Sequence, residues 1–274
     1  MASLVHLFGA AHSDRYSNIQ AEIEDRVTAT DAEAICIEAP EERIQVTYWL
    51  LAFLRLPLVV TGFALVGVVQ LALLAPRARS VFPGEVRAAQ EVHAEHGIPL
   101  HKVDPHFQRY FSAGGLWFSI VNWAVLIGIA VVLSPIPIAI ICVLGNVGYR
   151  CFRWLGQVSE RLAVIIALPA CILFYLALFQ ITSILLVLVV FSIGLAALVI
   201  SSKLTGEERT DEMISRTQAA IADNEYENVL YVAGQGRIST LRDRITDLAD
   251  VRLGSVWLKD RSESGELEHS TPTE

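Results

Sequence analysis

From Leu116 to Ser201 the chain carries only four charged residues, Arg150, Arg153, Glu160 and Arg161. Apolar runs of about 18 residues or more are long enough to cross a bilayer, and a helix satisfies its own backbone where no water can. Gly115 to Leu133 reads as a first span, broken by Ser134-Pro135-Ile136-Pro137. Ile138 to Tyr149 is short, and spans if its helix starts inside the Pro pair or the bilayer adapts. Leu162 to Phe179 and Ile184 to Ser201 supply two more, joined by the uncharged turn Gln180-Ile181-Thr182-Ser183. Pro169 lies inside the third, a placement membrane helices tolerate.

The cations sort by position. Arg150, Arg153 and Arg161 fall in the middle loop, Arg109 precedes the block and Lys203 follows it, while both outer turns are uncharged. Two hairpins with the middle loop inside satisfy the positive-inside rule and return the chain to its starting side. A single long hairpin plus a buried helix keeps the same even count and is the alternative. The spans hold no charge in their interiors, which weighs against a transporter component. Val46 to Ala75 is also apolar, but Arg55-Leu56-Pro57 interrupts it, and a charge beside a Pro in mid-membrane is costly. If Leu58 to Ala75 crossed alone, the sequence on its two sides would fall in different compartments. The expectation is a helical hairpin that packs on the soluble domain or lies in the interface, with a re-entrant pair as the alternative.

The chain is 53% hydrophobic, with a mean hydropathy of +0.48, a net charge of −8 and a pI near 5.4. An acidic balance argues against nucleic acid as a partner, because phosphates need a basic face. Met1-Ala2-Ser3-Leu4 has neither a basic n-region nor a long apolar h-region, so a multi-pass membrane protein with cytoplasmic flanking sequence and termini is expected. Cys36, Cys142, Cys151 and Cys171 form no C-x-x-C pair and read as reduced packing residues.

Outside the apolar block, strand-like and helix-like segments alternate. Residues 3–8, Ala34 to Ile37, Pro99 to Val103 and Val229 to Ala233 read as strands. Residues 15–27, Glu85 to Glu95, Glu207 to Ala222 and Ser239 to Leu248 read as helices. This alternation predicts an α/β soluble domain, a mixed or parallel sheet with flanking helices, split by an all-α multi-span transmembrane block. In such sheets ligands bind beyond the carboxyl ends of the strands. His12, Glu38, Asp104 and Arg237 all fall there, so one site assembled from both ends of the chain is the candidate. Bland readings stand beside each: a surface His, a helix-capping Glu, an Asp-Pro turn, and for Arg209 a salt bridge within an acidic helix start. His93, His96, His101 and His106 lie close in sequence without sharing a face, and His93 and His96 read as solvated.

The motif order carries a resemblance. Gly9-Ala10-Ala11-His12, the strand ending Ile37-Glu38, the stretch from Gly84-Glu85 to Val103-Asp104, Glu208-Arg209 ahead of a Met213 helix, and Gly234-Gln235-Gly236-Arg237 follow one another. In that order they resemble the TraB/PrgY family, of the superfamily that includes Tiki-type proteases, erythromycin esterase-like proteins and GumN-like proteins. The resemblance covers residues 3–45, 84–111 and 205–248. It implies a domain split into 1–111, with the 46–75 hairpin peripheral or re-entrant, and 203–258, around a membrane region at 115–201; residues 262–274 read as a disordered tail. It also implies a metal-dependent hydrolase acting on peptide signals, with a divalent ion (Mn, Co or Zn) on His12 and Glu38. His12, Glu38 and Arg209 would be catalytic; Arg237, Asp104, Gly9 and Gly234 would bind substrate. Family members pair two Gly-x-x-His motifs, and here Arg237 stands in place of the second His. Arg stays protonated and offers a metal no lone pair, so a non-catalytic protein binding a peptide or a small anionic ligand is the competing expectation.

Overall fold

The computed structural model describes residues 3–11, 14–40, 46–78, 83–105, 115–248 and 251–258. These divide into two compact units, one drawn from Met1–Glu41, Phe82–Asp104 and Thr210–Glu274, the other from Glu42–Val81 and Pro105–Arg209.

The first unit is built on five strands: β1 (Ser3–Ala10), β2 (Ala34–Pro40), β3 (Leu100–Asp104), β4 (Asn228–Gly234) and β5 (Val251–Leu258). Their order is β3-β2-β4-β1-β5, and every neighbouring pair is parallel. A mixed sheet, one of the two expectations, is therefore replaced by a parallel one. Each strand is reached by a crossover that brings the chain back to the same edge, as parallel pairing requires. Helices α1 (Tyr16–Thr30) and α4 (Gly84–His96) cover one face, where Phe8, Ile19, Ile23, Ile35, Ile37, Val86, Ala89, Leu230 and Val232 form a core. Val5, Leu7, Met213, Ile214, Tyr231, Leu241 and Ile245 form a second core on the other face. Along β1 and β4, alternate residues serve alternate cores, the period of two that a doubly covered strand requires. Gly97 ends α4 in the left-handed region at φ 69°, its N–H bonded to His93 O at 2.9 Å.

The second unit holds α2 (Val46–Arg55), α3 (Pro57–Ala78), α5 (Gly115–Leu133), α6 (Pro135–Val158), α7 (Glu160–Ile181) and the first part of α8 (Ile184–Asn224). α6 does begin inside the Pro pair. Among the described residues, three helices are long and apolar enough to cross a membrane, at Gly115–Val132, Pro135–Leu155 and Arg161–Ile181; Pro57–Leu73 and Ile184–Ile200 are shorter apolar stretches. Large apolar side chains face outward, Trp117 at 78% exposure and Val131 at 80% among them.

The segment at 46–75 forms a hairpin in the core of the helical unit. Val59, Val60, Ala64, Leu65 and Val68 are fully buried. A helix apolar all round, as α3 is, belongs inside other helices. The Trp49 and Phe63 ring centroids lie 5.9 Å apart. In a straight helix those two positions would be separated by about 21 Å, so α2 folds back on α3 at Leu56-Pro57. The break is sealed by consecutive residues of α5: Asn122 Oδ1 accepts the Leu58 N–H at 2.8 Å, and Trp123 Nε1 donates to Leu54 O at 2.8 Å. Asn146 of α6 then ties both arms of the hairpin, accepting from Trp49 Nε1 at 2.9 Å and donating to Thr61 Oγ1 at 3.4 Å. α3 also meets α8 backbone to backbone: a Cβ on Gly62 would lie 2.2 Å from the Gly194 carbonyl carbon.

α8 unites two predicted elements, the span at 184–201 and the helix at 207–222, in one unbroken helix of 41 residues.

Candidate functional site

Because all five strands are parallel, Gly9, Glu38, Asp104 and Gly234 lie toward one edge of the sheet, at the carboxyl ends of their strands. β1 and β4 run side by side to that edge, with Gly9 opposite Ala233 and Ala10 opposite Gly234. β4 passes directly into a 3-10 turn, Gln235–Arg237, and then α9 (Ile238–Thr246). The turn presents Arg237 to β2: its Nε lies 2.7 Å from Glu38 Oε1. The Glu38 side chain is 10% exposed and that of Arg237 32%.

Glu38 and Arg237 are thus the predicted site residues whose side chains are brought into contact. Asp104 closes β3 opposite Pro40 and is buried, and its main-chain oxygen accepts from Arg216 Nη1 at 3.4 Å. Gly9 has a packing reason: a Cβ there would come within 2.6 Å of Ile238 Cγ1 and 3.0 Å of Leu258 Cδ2. Gly234 is buried in the sheet opposite Ala10. Arg209 lies on α8 within the helical unit, half-buried and engaged by a partner. His12, His106, Arg109 and the tail lie outside the described residues.

Sequence reading passed over Glu85, taking it as the start of an amphipathic helix. It is 1% exposed, in the first turn of α4. α4 leads into the amino end of β3 and so starts at the opposite, carboxyl edge; a Cβ on Gly84 would lie 2.7 Å from the Asp14 carbonyl, in the loop after β1. A carboxylate so deeply buried is held in place by its partners. The only available signal was its position two residues after Pro83, which marks a helix start but not burial.

The Arg237 guanidinium lies against Glu38 Oε1, and a guanidinium cannot itself ligate a metal. Among the described residues, the one group of three possible ligands is Glu24, Glu95 and His96, on α1 and α4. There the Gln20 amide donates to both carboxylates, at 3.0 and 2.8 Å. His93 Nδ1 lies 2.6 Å from Ile98 O, and His101 Nε2 lies 3.2 Å from the Tyr226 hydroxyl, so these histidines serve local contacts.

No family model matches the chain, and neither a curated protein nor a solved structure is similar to it.

Proposed function

We propose that this is an integral membrane protein whose cytoplasmic α/β domain, TraB-like in the order of its motifs, binds a peptide or small ligand through an anionic group at Glu38–Arg237, without turning it over. The observation that carries the reading is the 2.7 Å contact between Arg237 Nε and Glu38 Oε1. A fixed cation beside the carboxylate neutralises the group that would otherwise hold a metal or activate water. The part-exposed edge of the Arg237 fork suits a carboxylate or phosphate, which guanidinium binds with charge-assisted hydrogen bonds.

The membrane reading is supported by parity. β2, β3 and β4 are bonded side by side in one sheet, so the chain must return to one compartment after residues 46–78 and again after 115–201. A folded-back α2–α3 hairpin meets the first condition as a re-entrant pair. The second needs an even number of crossings, so the shorter apolar stretch Ile184–Ile200 joins the three longer helices as the fourth. Arg150, Arg153 and Arg161 then lie on the cytoplasmic side with the domain.

The test is metal content and peptidase activity of detergent-purified protein, with His12→Ala and Glu38→Ala beside the wild type, followed by titration with peptides bearing free or amidated carboxyl termini. A metal-free, inert wild type that binds the free-acid peptide, and loses it with Arg237→Ala, is the expected result. Bound manganese, cobalt or zinc, with peptidase activity lost in both variants, would establish the hydrolase instead, with Glu38 as base or ligand and Arg209 or Arg237 stabilising the oxyanion.

A further inference from the structure

His6 lies mid-strand in β1 and is 8% exposed. Opposite it the register of β5 slips: Val5 pairs with Leu253 but Leu7 with Val256, which sets Gly254 and Ser255 against the one residue. Such a bulge re-aims backbone groups. Here it turns the Ser255 N–H onto His6 Nδ1 at 3.1 Å. Gly254 leaves room for the ring, since a Cβ there would stand 2.5 Å from His6 Cε1 and Nδ1. The ring stacks with Trp257 at 6.0 Å between centroids and 20° between planes. The Arg26 guanidinium carbon of α1 stands 4.9 Å from the Trp257 centroid. His6 Nε2 is enclosed, without a hydrogen-bond partner among the described residues.

This setting favours the neutral imidazole. Nδ1 must keep its lone pair to receive Ser255, and a proton there would oppose the N–H and add a second cation beside the Trp257 ring that Arg26 already faces. Burial pushes His6 below its ordinary 6.5, and the Asn228 side chain of β4 offsets this only in part. The charged groups on the packed elements are Glu22, Glu24, Asp25 and Arg26 of α1, Arg242, Asp243 and Arg244 of α9, and Arg252 of β5, the register partner of Leu4; β1 and β4 contribute none besides His6 among the described residues.

We propose that His6 is an acid-sensitive latch: neutral, it holds the edge strand β5 against β1, and protonated, it releases it. Release uncovers the tip of β1, because Gly9 is paired with Leu258. A group whose pKa is lower in the closed state than in the open one stabilises closure fully above its ordinary value and progressively less below it. The latch therefore holds above about pH 6.5 and weakens as the pH falls further. It stands independently of any ligand at Glu38–Arg237.

The test is amide hydrogen exchange of the full-length protein in nanodiscs, at about pH 7.5 and 5.5, corrected for intrinsic rates. Opening of β5 is expected to rise several-fold, up to about tenfold at one unit below the ordinary imidazole value, with β2 and β4 unchanged. His6→Phe, which cannot titrate, is expected to abolish that pH step. Wild-type His6 C2–H exchange, which needs no variant, is expected to titrate below 6.5. Equal β5 protection at both pH values, a step that survives His6→Phe, or titration at or above 6.5 would each overturn the latch.

Discussion

Arg237, on the turn after β4, reaches across to β2 and sets its Nε 2.7 Å from Glu38 Oε1. The two strands are neighbours in the sheet, so the contact joins the opposite ends of the chain. With Glu38 mostly buried and Arg237 partly so, the pair falls between a surface ion pair and a desolvated one. A double-mutant cycle with Glu38→Gln and Arg237→Gln is expected to return a coupling of about 1–2 kcal/mol in chemical unfolding. A coupling near zero would reduce the pair to a crossing of side chains.

The hairpin break depends on two α5 side chains. Asn122→Ala leaves the buried Leu58 N–H unbonded and is expected to cost about 1–3 kcal/mol. Trp123→Phe removes the donor to Leu54 O at a half-exposed position, and should cost less. Thermal unfolding in detergent measures both; the opposite ranking would put the seal elsewhere.

Gly62 and Gly194 permit backbone contact between α3 and α8. Either change to Ala forces main chains apart, and overpacking of this kind costs about 1–3 kcal/mol or more. Gly128, with open space around its would-be Cβ, is the control: Gly128→Ala is expected to be neutral or to stabilise by about 0.5–1 kcal/mol. Melting temperatures of the three variants separate the cases.

Thiol reactivity follows burial. Cys36, Cys142 and Cys171 are buried and Cys151 is exposed. Burial pushes the Cys36 thiol up to about 12, so it carries almost no thiolate at pH 8 and gains it only several units higher. Mass spectrometry after maleimide treatment of the native protein should find one adduct, on Cys151; modified Cys36 would show an open sheet.

Four crossings would put the turns at Ser159 and Ser183 on opposite sides of the membrane. In a cysteine-free background, a single cysteine at Ser183 is expected to label from outside intact cells, and one at Ser159 only after permeabilisation. Labelling of both from one side would refute four crossings.

Much of the fold was legible because its signals are local. Apolar length marked α5 to α7, and alternation of strand and helix marked the sheet. β5 was passed over because Gly254 and Ser255 interrupt its alternation, and their use is visible only once His6 is seen beside them. The continuity of α8 was missed because the shift from apolar to charged residues reads as a boundary, whereas helical hydrogen bonding is indifferent to it.

By itself the sequence determined which segments can leave water, which strands end in Glu38, Asp104 and Gly234, and that Arg rather than His follows the second glycine turn. These depend on side-chain transfer free energies and backbone propensities acting over a few residues. The tertiary structure alone decided that the sheet is parallel, that α2 and α3 form the core of the helical unit, and that Arg237 meets Glu38. Each of these is a contact between residues far apart in the chain, settled by strand register, by which apolar surfaces fit together, and by which orphaned polar groups find partners.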